Sequence, residues 1–396
     1  MGSQAQANLK GSVRLGGYLR KLRAGYGYSL RRVEERARAK GGEIDNSQLS
    51  RYEKGICYPS FDKLRILANV FNVSIQSFSD VVDLEAFEEL KPEYGSPLEL
   101  IEQGIQHARD GNHGYSFAVL ERALELLLEE EPGIERQVLI GRARVNQALA
   151  LMRLGKLSLA EQELRTSLRT AEHLGPELRV RALLSLANIH ADQGDTFLSE
   201  MEAERAFEAA DAASLDLVAA MALHTLARVL ADQGRFERAI RRYRDAMTRY
   251  EKVGESYESI RVHTNVGACY VALGKSREGI RLLRSALTDA RRAGHRRLEA
   301  CAWGHLGKAY FQLRDTRRAR GCFRESDALA VYNNERQPDL LFVNAFYEWK
   351  MAIEEDNPTR EKIAFGRLKV LRSGLERRLA EVDDFDQHVE GGRRHA

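Results

Sequence analysis

From Pro97 onward the chain repeats itself at intervals of about 40 residues. Apolar segments end at turn residues with this spacing, namely Gly111, Gly155, Gly194, Gly234, Gly274 and Arg314. Five residues past most of them lies a small residue that lets two helices approach closely: Ala160, Ser199, Ala239, Gly279 and Ala319. A period of roughly 20 to 50 residues indicates a solenoid, because each unit can bury its apolar face only against the next. We therefore predict an α-helical solenoid for most of the chain.

The sixth unit has the most complete repeat motif, with Trp303, Leu306, Gly307, Tyr310, Ala319 and Phe323 in phase. In this pattern the sequence resembles tetratricopeptide repeats with slightly lengthened helices. Large apolar residues also recur in the second helix of most units, at Leu120, Leu164, Tyr243 and Leu283. We predict six units over residues 97–335, C-terminal capping helices over 336–385 and a disordered tail over 386–396.

The segment from Asp45 to Gly55 sorts into two faces when it is wound as a helix. Leu49, Tyr52 and Ile56 share a narrow apolar arc that can pack against other helices. The opposite face carries short amides, hydroxyls and cations, at Asn46, Ser47, Ser50, Arg51 and Lys54. Such groups hydrogen-bond base edges and phosphates in the major groove of DNA. With Asp45 as its N-cap and Gly55 at its end, this segment is predicted to be a DNA-recognition helix.

Amphipathic segments around this helix complete a small five-helix domain within residues 1–81. The segments LRKLR, SLRRVEERA, SQLSRYEKG and YPSFDKLRILANVFNVS resemble the lambda-repressor/Cro-type helix-turn-helix family, often called the XRE family. The resemblance implies a DNA-binding domain in which Asn46, Ser47 and Arg51 read bases. It also implies phosphate contacts by Arg20, Ser29, Lys54 and Lys63. The connection from Arg38 to Ile44 is several residues longer than the family usually has.

The charge distribution agrees with a DNA-binding N-terminal region. Residues 1–70 contain 14 Lys and Arg against 6 Asp and Glu, a balance of +8. The whole chain is +3, so residues 71–396 sum to −5. A basic segment on a mildly acidic body is the electrostatic pattern of a phosphate-binding module. The alternative interpretation is a degenerate helix-turn-helix that contacts protein.

The first helices of the repeats are expected to line a concave face. By resemblance to the repeat family, the groove positions are Arg142, Asn146, Arg181, Asn188, His224, Arg228, Arg261, Asn265, His305 and Lys308. Asn both donates and accepts hydrogen bonds and can hold a peptide main chain, whereas Arg and Lys suit a carboxylate. The row fits an extended peptide. The alternative is that first helices simply expose polar residues in a chain rich in arginine.

An XRE-type domain followed by tetratricopeptide-like repeats resembles the architecture of bacterial peptide-pheromone receptor regulators, the Rap/Rgg/PlcR/PrgX group. The resemblance implies a transcriptional regulator whose repeats dimerise and sense a ligand, a short peptide in that group. Because one small domain makes few DNA contacts, a homodimer on a palindromic operator is expected. The alternative is a helical-repeat adaptor or scaffold that binds a partner protein and uses the helix-turn-helix for protein contacts.

Several other functions are disfavoured. The chain has no apolar run of about 18 residues, so no transmembrane helix or membrane partner is expected. The start MGSQAQANLKGS lacks the apolar core of a signal peptide, which predicts a cytoplasmic location. No phosphate-binding glycine loop, metal-binding His pair or nucleophile–base motif occurs, so we expect no enzyme, cofactor or metal. Residues 82–96 are predicted to form a linker, with a short helix and then a hinge.

Overall fold

The computed structural model describes residues 11–169, 175–332, 335–373, 375 and 379–393. Within these ranges almost all regular structure is α-helical, and none of the described helices has the length and apolarity needed to cross a membrane. Two short strands, Val331–Tyr332 and Glu335–Arg336, pair antiparallel. The predicted all-α fold is thereby confirmed. The chain forms two compact units, Met1–Gly175 and Pro176–Ala396.

The first unit begins with five short helices: α1 (Val13–Gly25), α2 (Leu30–Ala39), α3 (Asn46–Glu53), α4 (Phe61–Phe71) and α5 (Ile75–Asp83). Each follows a residue whose side chain accepts a hydrogen bond from the backbone of that helix: Ser12, Ser29, Asp45, Ser60 and Ser74. A polar N-cap satisfies a backbone N–H that the helix leaves unpaired, so these residues determine where each helix begins. The common core of the five helices includes Leu19, Val33, Leu49, Leu67 and Phe71.

Two features around α3 differ from the sequence-based expectation. Ile56, predicted to join the apolar arc, is 49% exposed. The reason is that the chain leaves the helix before it, with Gly55 in the left-handed region at φ 67°. Ile44, in the long connection before α3, is buried instead. That connection turns at Gly41 (φ 75°), so its extra residues bring an additional apolar side chain into the core.

The first unit continues with a 3₁₀ helix (Leu84–Leu90) and four longer helices: α6 (Pro97–Arg109), α7 (His113–Glu129), α8 (Ile134–Arg153) and α9 (Leu157–Arg169). The 3₁₀ helix lies in the predicted linker and packs on α7. There the rings of Phe87 and Phe117 lie 6.2 Å apart. The ammonium of Lys91 lies 2.7 Å from Oε1 of Glu125. This part of the linker is therefore attached to the first helix pair.

The second unit contains α10 (Pro176–Asp192), α11 (Thr196–Ala212), α12 (Asp216–Asp232), α13 (Phe236–Val253), α14 (Ser256–Ala272), α15 (Ser276–Arg292), α16 (Arg296–Gln312), α17 (Thr316–Ala330), α18 (Pro338–Glu354), α19 (Pro358–Arg372) and α20 (Ala380–Arg393). From α6 to α17 the helices form six pairs, and the small residues predicted at a fixed phase are all buried. A Cβ on Gly279 would lie 2.6 Å from Cγ2 of Val271. Small residues are needed here because the two helices of a pair approach closely.

The turn residue between the two helices of each pair has a left-handed backbone. The angle φ is +74° to +81° at the five glycines and +60° at Arg314. Glycine adopts this conformation at little cost, whereas an L side chain is disfavoured there. The glycine period in the sequence therefore marks the turns of the solenoid, and Arg314 is its strained member.

Within the second unit the helices form two layers. First helices contact one another across neighbouring pairs, as α10 does with α12, α14 with α16, and α16 with α18. Each of the second helices α11, α13 and α15 packs between its own first helix and the next one. The first helices thus form the inner layer and the second helices the outer layer, as in other helical solenoids.

The C-terminal end differs from the prediction of a disordered tail over residues 386–396, because α20 continues to Arg393, while residues 394–396 lie outside the described part of the chain. Phe385 is buried, and its ring lies 5.9 Å from that of Phe342 and 6.1 Å from that of Trp349. The guanidinium of Arg372, in α19, pairs with Asp386 at 2.9 Å. An apolar anchor and an ion pair therefore hold this last helix against the solenoid.

Candidate functional sites

Helix α3 presents its polar face to solvent. The side chains of Asn46, Ser47, Arg51 and Lys54 are exposed, and that of Ser50 is half-buried. Neither Arg51 nor Lys54 forms an ion pair with any residue in the described part of the chain. The five residues predicted on the recognition helix are thus brought together, and their amide, hydroxyl and cationic groups are available to an external ligand.

The position of α3 is set by groups at its two ends. At the start, Asp45 accepts a hydrogen bond from the backbone N–H of Gln48 at 2.7 Å, and this bond lowers the pKa of Asp45 by stabilising the carboxylate. At the end, the buried carboxylate of Glu53 receives two hydrogen bonds from Arg23 of α1, at 2.6 and 2.9 Å. These bonds raise the pKa of Arg23. A bidentate pair defines orientation as well as distance, so it holds α3 firmly on α1.

The other residues predicted to contact phosphates have local partners. Arg20 is exposed, and its Nη2 donates to the backbone oxygen of Glu53 at 3.2 Å. The hydroxyl of Ser29 caps α2. The ammonium of Lys63 donates to the backbone oxygen of Glu43. Phosphate contacts by these three residues therefore remain predictions.

Ion pairs attach the five-helix domain to the first repeats. The carboxylate of Glu163 in α9 lies 2.8 Å from Nζ of Lys21 and 2.6 Å from Nη1 of Arg144. Burial alone would raise the pKa of Glu163, but the two cations outweigh it and lower the pKa. Lys156, next to α9, pairs with Asp83 of α5 at 2.5 Å. Sequence reasoning missed these contacts because the partners lie far apart in the chain. None of the predicted DNA-contacting residues takes part in them.

Arg142 and Asn146 lie on α8, in the first unit. Nη2 of Arg142 is 2.6 Å from Oε1 of Glu102. The amide of Asn146 donates to the backbone oxygen of Arg142 at 2.8 Å, and the side chain is buried. The Asn146 amide thus serves its own helix in this structure, while Arg142 is half-exposed at the surface.

In the second unit, Arg228 links two first helices. Its Nη2 donates to Oδ1 of Asn188, in α10, at 2.8 Å, and its Nη1 lies 3.3 Å from Oδ2 of Asp232. Because Asn188 is used as an acceptor here, its amide N–H groups can still donate to a carbonyl of a ligand. Arg181 is exposed near the start of α10.

His224 is buried at the centre of a polar cluster between α12 and α14. Its Nδ1 lies 3.2 Å from Nη2 of Arg261, and its Nε2 lies 3.2 Å from the amide of Asn265. Arg261 also pairs with Glu258 at 2.6 Å. Burial lowers the pKa of His224, so the ring is neutral at neutral pH. The same Nδ1 also lies 3.6 Å from Oε2 of Glu258, so a guanidinium and a carboxylate both face this ring nitrogen.

His305 and Lys308 lie on α16, where the C-terminal helix α20 reaches the inner layer. The ammonium of Lys308 is 2.6 Å from Oε1 of Glu381, which also accepts a hydrogen bond from the Tyr347 hydroxyl at 3.4 Å. Burial alone would lower the pKa of Lys308, but the charge of Glu381 raises it. Burial lowers the pKa of His305 to about 3. The ammonium of Lys308 is thus neutralised by the protein's own carboxylate.

Two carboxylates at these sites were not anticipated from the sequence. Glu258 lies three residues before Arg261 on the same helix, a spacing that allows an ion pair and that could have indicated it. Glu381 reaches Lys308 from a helix 73 residues away, and no local pattern indicates that contact. The predicted groove residues of the second unit therefore form separate clusters rather than one open row.

Two parts of the chain match known families. Residues 19–78 match the helix-turn-helix family, and residues 178–252 match the tetratricopeptide repeat family. The predicted XRE-type region and the repeats that follow it are thereby confirmed. No curated protein matches the sequence.

Among solved structures, the fold is similar to those of RapI, a second Rap protein and NprR. The apo form of RapI is 11% identical, with a TM-score of 0.58 over 70% of this chain and 97% of that one. A Rap protein complexed with competence and sporulation factor is 15% identical, with a TM-score of 0.54 over 74% and 87%. The apo form of the quorum sensor NprR from B. thuringiensis is 12% identical, with a TM-score of 0.53 over 72% and 79%. At these identities the likeness is one of fold.

Proposed function

We propose that this chain, an XRE-type helix-turn-helix region followed by tetratricopeptide-like repeats, is a sequence-specific DNA-binding transcriptional regulator. Helix α3 enters the major groove, where Asn46, Ser47 and Arg51 contact base edges and Ser50 lies beside them. The observation that carries this proposal is the exposed polar face of α3, on a helix whose two ends are held by the fold. Groups of this kind at a helix surface suit direct readout of bases.

Three cations and the hydroxyl of Ser29, all around α3, position the protein on the duplex. Lys54 stands at the end of the recognition helix, and Arg20, Ser29 and Lys63 lie on the neighbouring helices or at their starts. The +8 balance of residues 1–70 supplies the sequence-independent attraction to phosphates. A homodimer on a palindromic operator would double the few contacts that one domain makes.

We further propose that the repeats sense a ligand, a short peptide. The unused amide N–H groups of Asn188 suit a main-chain carbonyl, and the exposed Arg181 on the same helix suits a carboxylate. Arg261 and Asn265, which flank the buried His224, add further donors on the inner layer. The fold is also that of NprR, a quorum sensor, and of a Rap protein solved with competence and sporulation factor.

Affinity selection of genomic fragments tests the DNA-binding part. The full-length protein is incubated with sheared DNA at near-physiological salt, beside Arg51→Ala and a matched control, Arg31→Ala. Arg31 is also exposed and lies in the same domain, but it pairs with Glu35 at 3.5 Å and is not on α3. One palindromic motif that wild type and Arg31→Ala recover and Arg51→Ala loses would support the proposal. Only salt-sensitive, unselective binding would instead favour the adaptor or scaffold.

Native mass spectrometry of the purified protein tests the ligand. A bound peptide that is lost on dialysis, and whose return alters the recovered DNA, would support peptide sensing. A stable co-purifying protein chain would contradict it and favour an array that binds a partner protein. The same spectra report whether the protein is a dimer.

A further inference from the structure

Positive charge in the second unit is concentrated on three second helices of the outer layer, whereas the second helix α11 has one Arg against five Asp and Glu. The second helices α13, α15 and α17 contain 15 Lys and Arg against 7 Asp and Glu, a balance of +8. The first helices α12, α14 and α16 contain 5 against 4. Residues 71–396 as a whole sum to −5. The outer layer of these three repeats is therefore cationic on a body of opposite sign.

Seven arginines of this layer recur in register, at equivalent positions 40 residues apart. They are Arg241 and Arg281, Arg277 and Arg317, and the series Arg244, Arg284 and Arg324. Arg324 donates to the backbone oxygen of its own helix at Arg320, and we call the other six residues the arginine ridge. Within α15, three of them have the spacing i, i+4 and i+7, which places them on one face of the helix. Because the repeats are equivalent, the corresponding arginines of the neighbouring second helices lie on the same face.

The arginine ridge is largely free of direct carboxylate contacts, although Glu200, Glu204 and Asp245 line one surface cavity together with Arg241 and Arg244. All six side chains are exposed, and none forms an ion pair with a carboxylate in the described part of the chain. Arg244 and Arg284 donate instead to the hydroxyls of Tyr270 and Tyr310, at 2.8 and 2.7 Å. A phenol hydroxyl is uncharged, so these bonds orient the guanidinium groups without cancelling their charge.

Other arginines on the same helices are paired in the ordinary way. Arg242 lies 3.7 Å from Asp245, Arg292 lies 2.9 Å from Asp289, and Arg318 lies 3.5 Å from Asp315. Carboxylates are therefore present on or beside these helices, yet the ridge residues do not use them. A shortage of acidic residues therefore does not explain why the ridge residues have no ion pair.

The surface also lacks what a protein partner needs. Protein interfaces are centred on buried apolar or aromatic side chains with a polar rim. Along the described lengths of α13, α15 and α17, the one large apolar residue with substantial exposure is Val253, at the end of α13. Phosphate backbones, in contrast, are bound by guanidinium groups without any apolar centre.

We propose that the arginine ridge is a nucleic-acid-binding surface that contacts the phosphate backbone of duplex DNA without reading its sequence. It is separate from helix α3 and does not depend on the proposed operator recognition. Each guanidinium that displaces counterions from a phosphate adds about 0.9 to the slope of log affinity against log salt. The ridge therefore makes binding to any duplex steeply salt-dependent.

The test compares two triple variants of the full-length protein with the same change of formal charge. The ridge variant carries Arg241→Gln, Arg281→Gln and Arg317→Gln, one substitution in each of the three helices. The control carries Arg242→Gln, Arg292→Gln and Arg318→Gln, which are on the same helices but are paired with carboxylates. Fluorescence anisotropy measures binding to a labelled duplex of random sequence from about 50 to 200 mM salt. Circular dichroism melting establishes that both variants fold.

In the ridge variant we expect the salt slope to fall by about 2 to 3 and the affinity at physiological salt to fall at least about tenfold, with little change in the control. The same comparison is repeated with Arg51→Ala and Lys54→Ala added, where the ridge effect should persist. Because these added substitutions disable helix α3, the effect of the ridge can be measured whether or not the proposal of operator recognition is correct. Equal losses in both triple variants, or none in either, would overturn the inference. The inference would also be overturned if the ridge variant kept its DNA affinity but lost binding to poly-glutamate. That result would indicate that the surface binds acidic proteins.

Discussion

The ammonium of Lys21 lies 2.8 Å from Oε1 of Glu163, a residue 142 positions farther along the chain. Arg144 holds the other carboxylate oxygen at 2.6 Å. The Glu163 side chain is only 13% exposed, so its charge depends on the two cations more than on water. Lys21 belongs to α1, which also packs on α3. Helix α1 therefore contacts both the recognition helix α3 and, through Lys21, helix α9 of the second helix pair.

We expect Glu163→Gln to lower the free energy of unfolding of the first unit by about 1 to 3 kcal/mol at neutral pH. The folded protein lowers the pKa of Glu163, so its contribution is fully present above the unfolded-state pKa of about 4.3 and is lost as pH falls through the lower folded pKa. The deficit of the variant should thus shrink below about pH 4.3. Urea unfolding across this pH range measures it, with Glu161→Gln, on the same helix, as control. A deficit that is the same at every pH would contradict the assignment.

Glu53→Ala should loosen helix α3 by removing the bidentate partner of Arg23. Removing one member of a buried ion pair leaves an uncompensated charge and costs about 3 to 5 kcal/mol, somewhat less here because Arg23 is 20% exposed. Hydrogen exchange of the α3 amides should rise by about two orders of magnitude, because each 1.4 kcal/mol changes an equilibrium about tenfold. Glu35→Ala, which removes an exposed carboxylate of α2, is the control and should leave exchange unchanged. Unaltered protection in Glu53→Ala would show that the pair does not hold the helix.

Arg314→Gly should stabilise the second unit, because Arg314 has φ +60° at a turn where the other repeats place glycine. Relief of the left-handed strain should raise the free energy of unfolding by about 1 kcal/mol. Loss of the exposed ion pair between Arg314 and Glu354 offsets part of this gain. Thermal unfolding measures the change. Arg314→Ala is the matched control, since it loses the same ion pair but keeps the strain and should be less stable than wild type. If both variants behaved alike, strain at this turn would be excluded.

His305 should make the stability of the second unit depend on pH. Its folded pKa of about 3 is below the unfolded value of about 6.5, so the unfolded chain takes up the proton first. Stability is then complete above about pH 6.5 and is lost as pH falls towards 3, by at most about 1.4 kcal/mol per pH unit. Melting temperatures between pH 5 and 7.5 should fall less steeply in His305→Gln than in wild type. The exposed His388, changed to Gln, is the control and should keep the wild-type slope.

Arg51→Ala and Lys54→Ala should weaken DNA binding in different ways. If Arg51 makes a bidentate contact to a base, its loss costs about 1 to 3 kcal/mol and relaxes the preference at one operator position. Lys54→Ala should weaken binding to all sequences alike and reduce the salt slope by about 1. Anisotropy titrations on a set of operator variants separate the two patterns. A uniform loss across the set for Arg51→Ala would remove its base-contact role.

The parts of the fold that could be predicted from the sequence depend on neighbours in the chain. Ser29, Asp45 and Ser60 cap the helices that follow them because a side-chain oxygen reaches a backbone N–H three residues ahead. The spaced glycines mark turns because only glycine takes a positive φ cheaply. The exposed row on α3 follows from helical periodicity alone. The prediction that Ile56 joins the apolar arc was wrong, because the turn at Gly55 ends the helix before it.

By itself, then, the sequence determined the helices, their caps and turns, the repeat period and the polar face of α3. Only the tertiary structure decided which charged side chains form ion pairs with residues far away in the chain. Lys21 pairs with Glu163 and Lys308 pairs with Glu381, whereas the arginine ridge forms no ion pair with a carboxylate among the residues that the structure describes. The physical reason is that local hydrogen bonds and backbone conformation act over a few residues, whereas an ion pair between distant residues exists only where the packing of whole helices brings two side chains within about 4 Å.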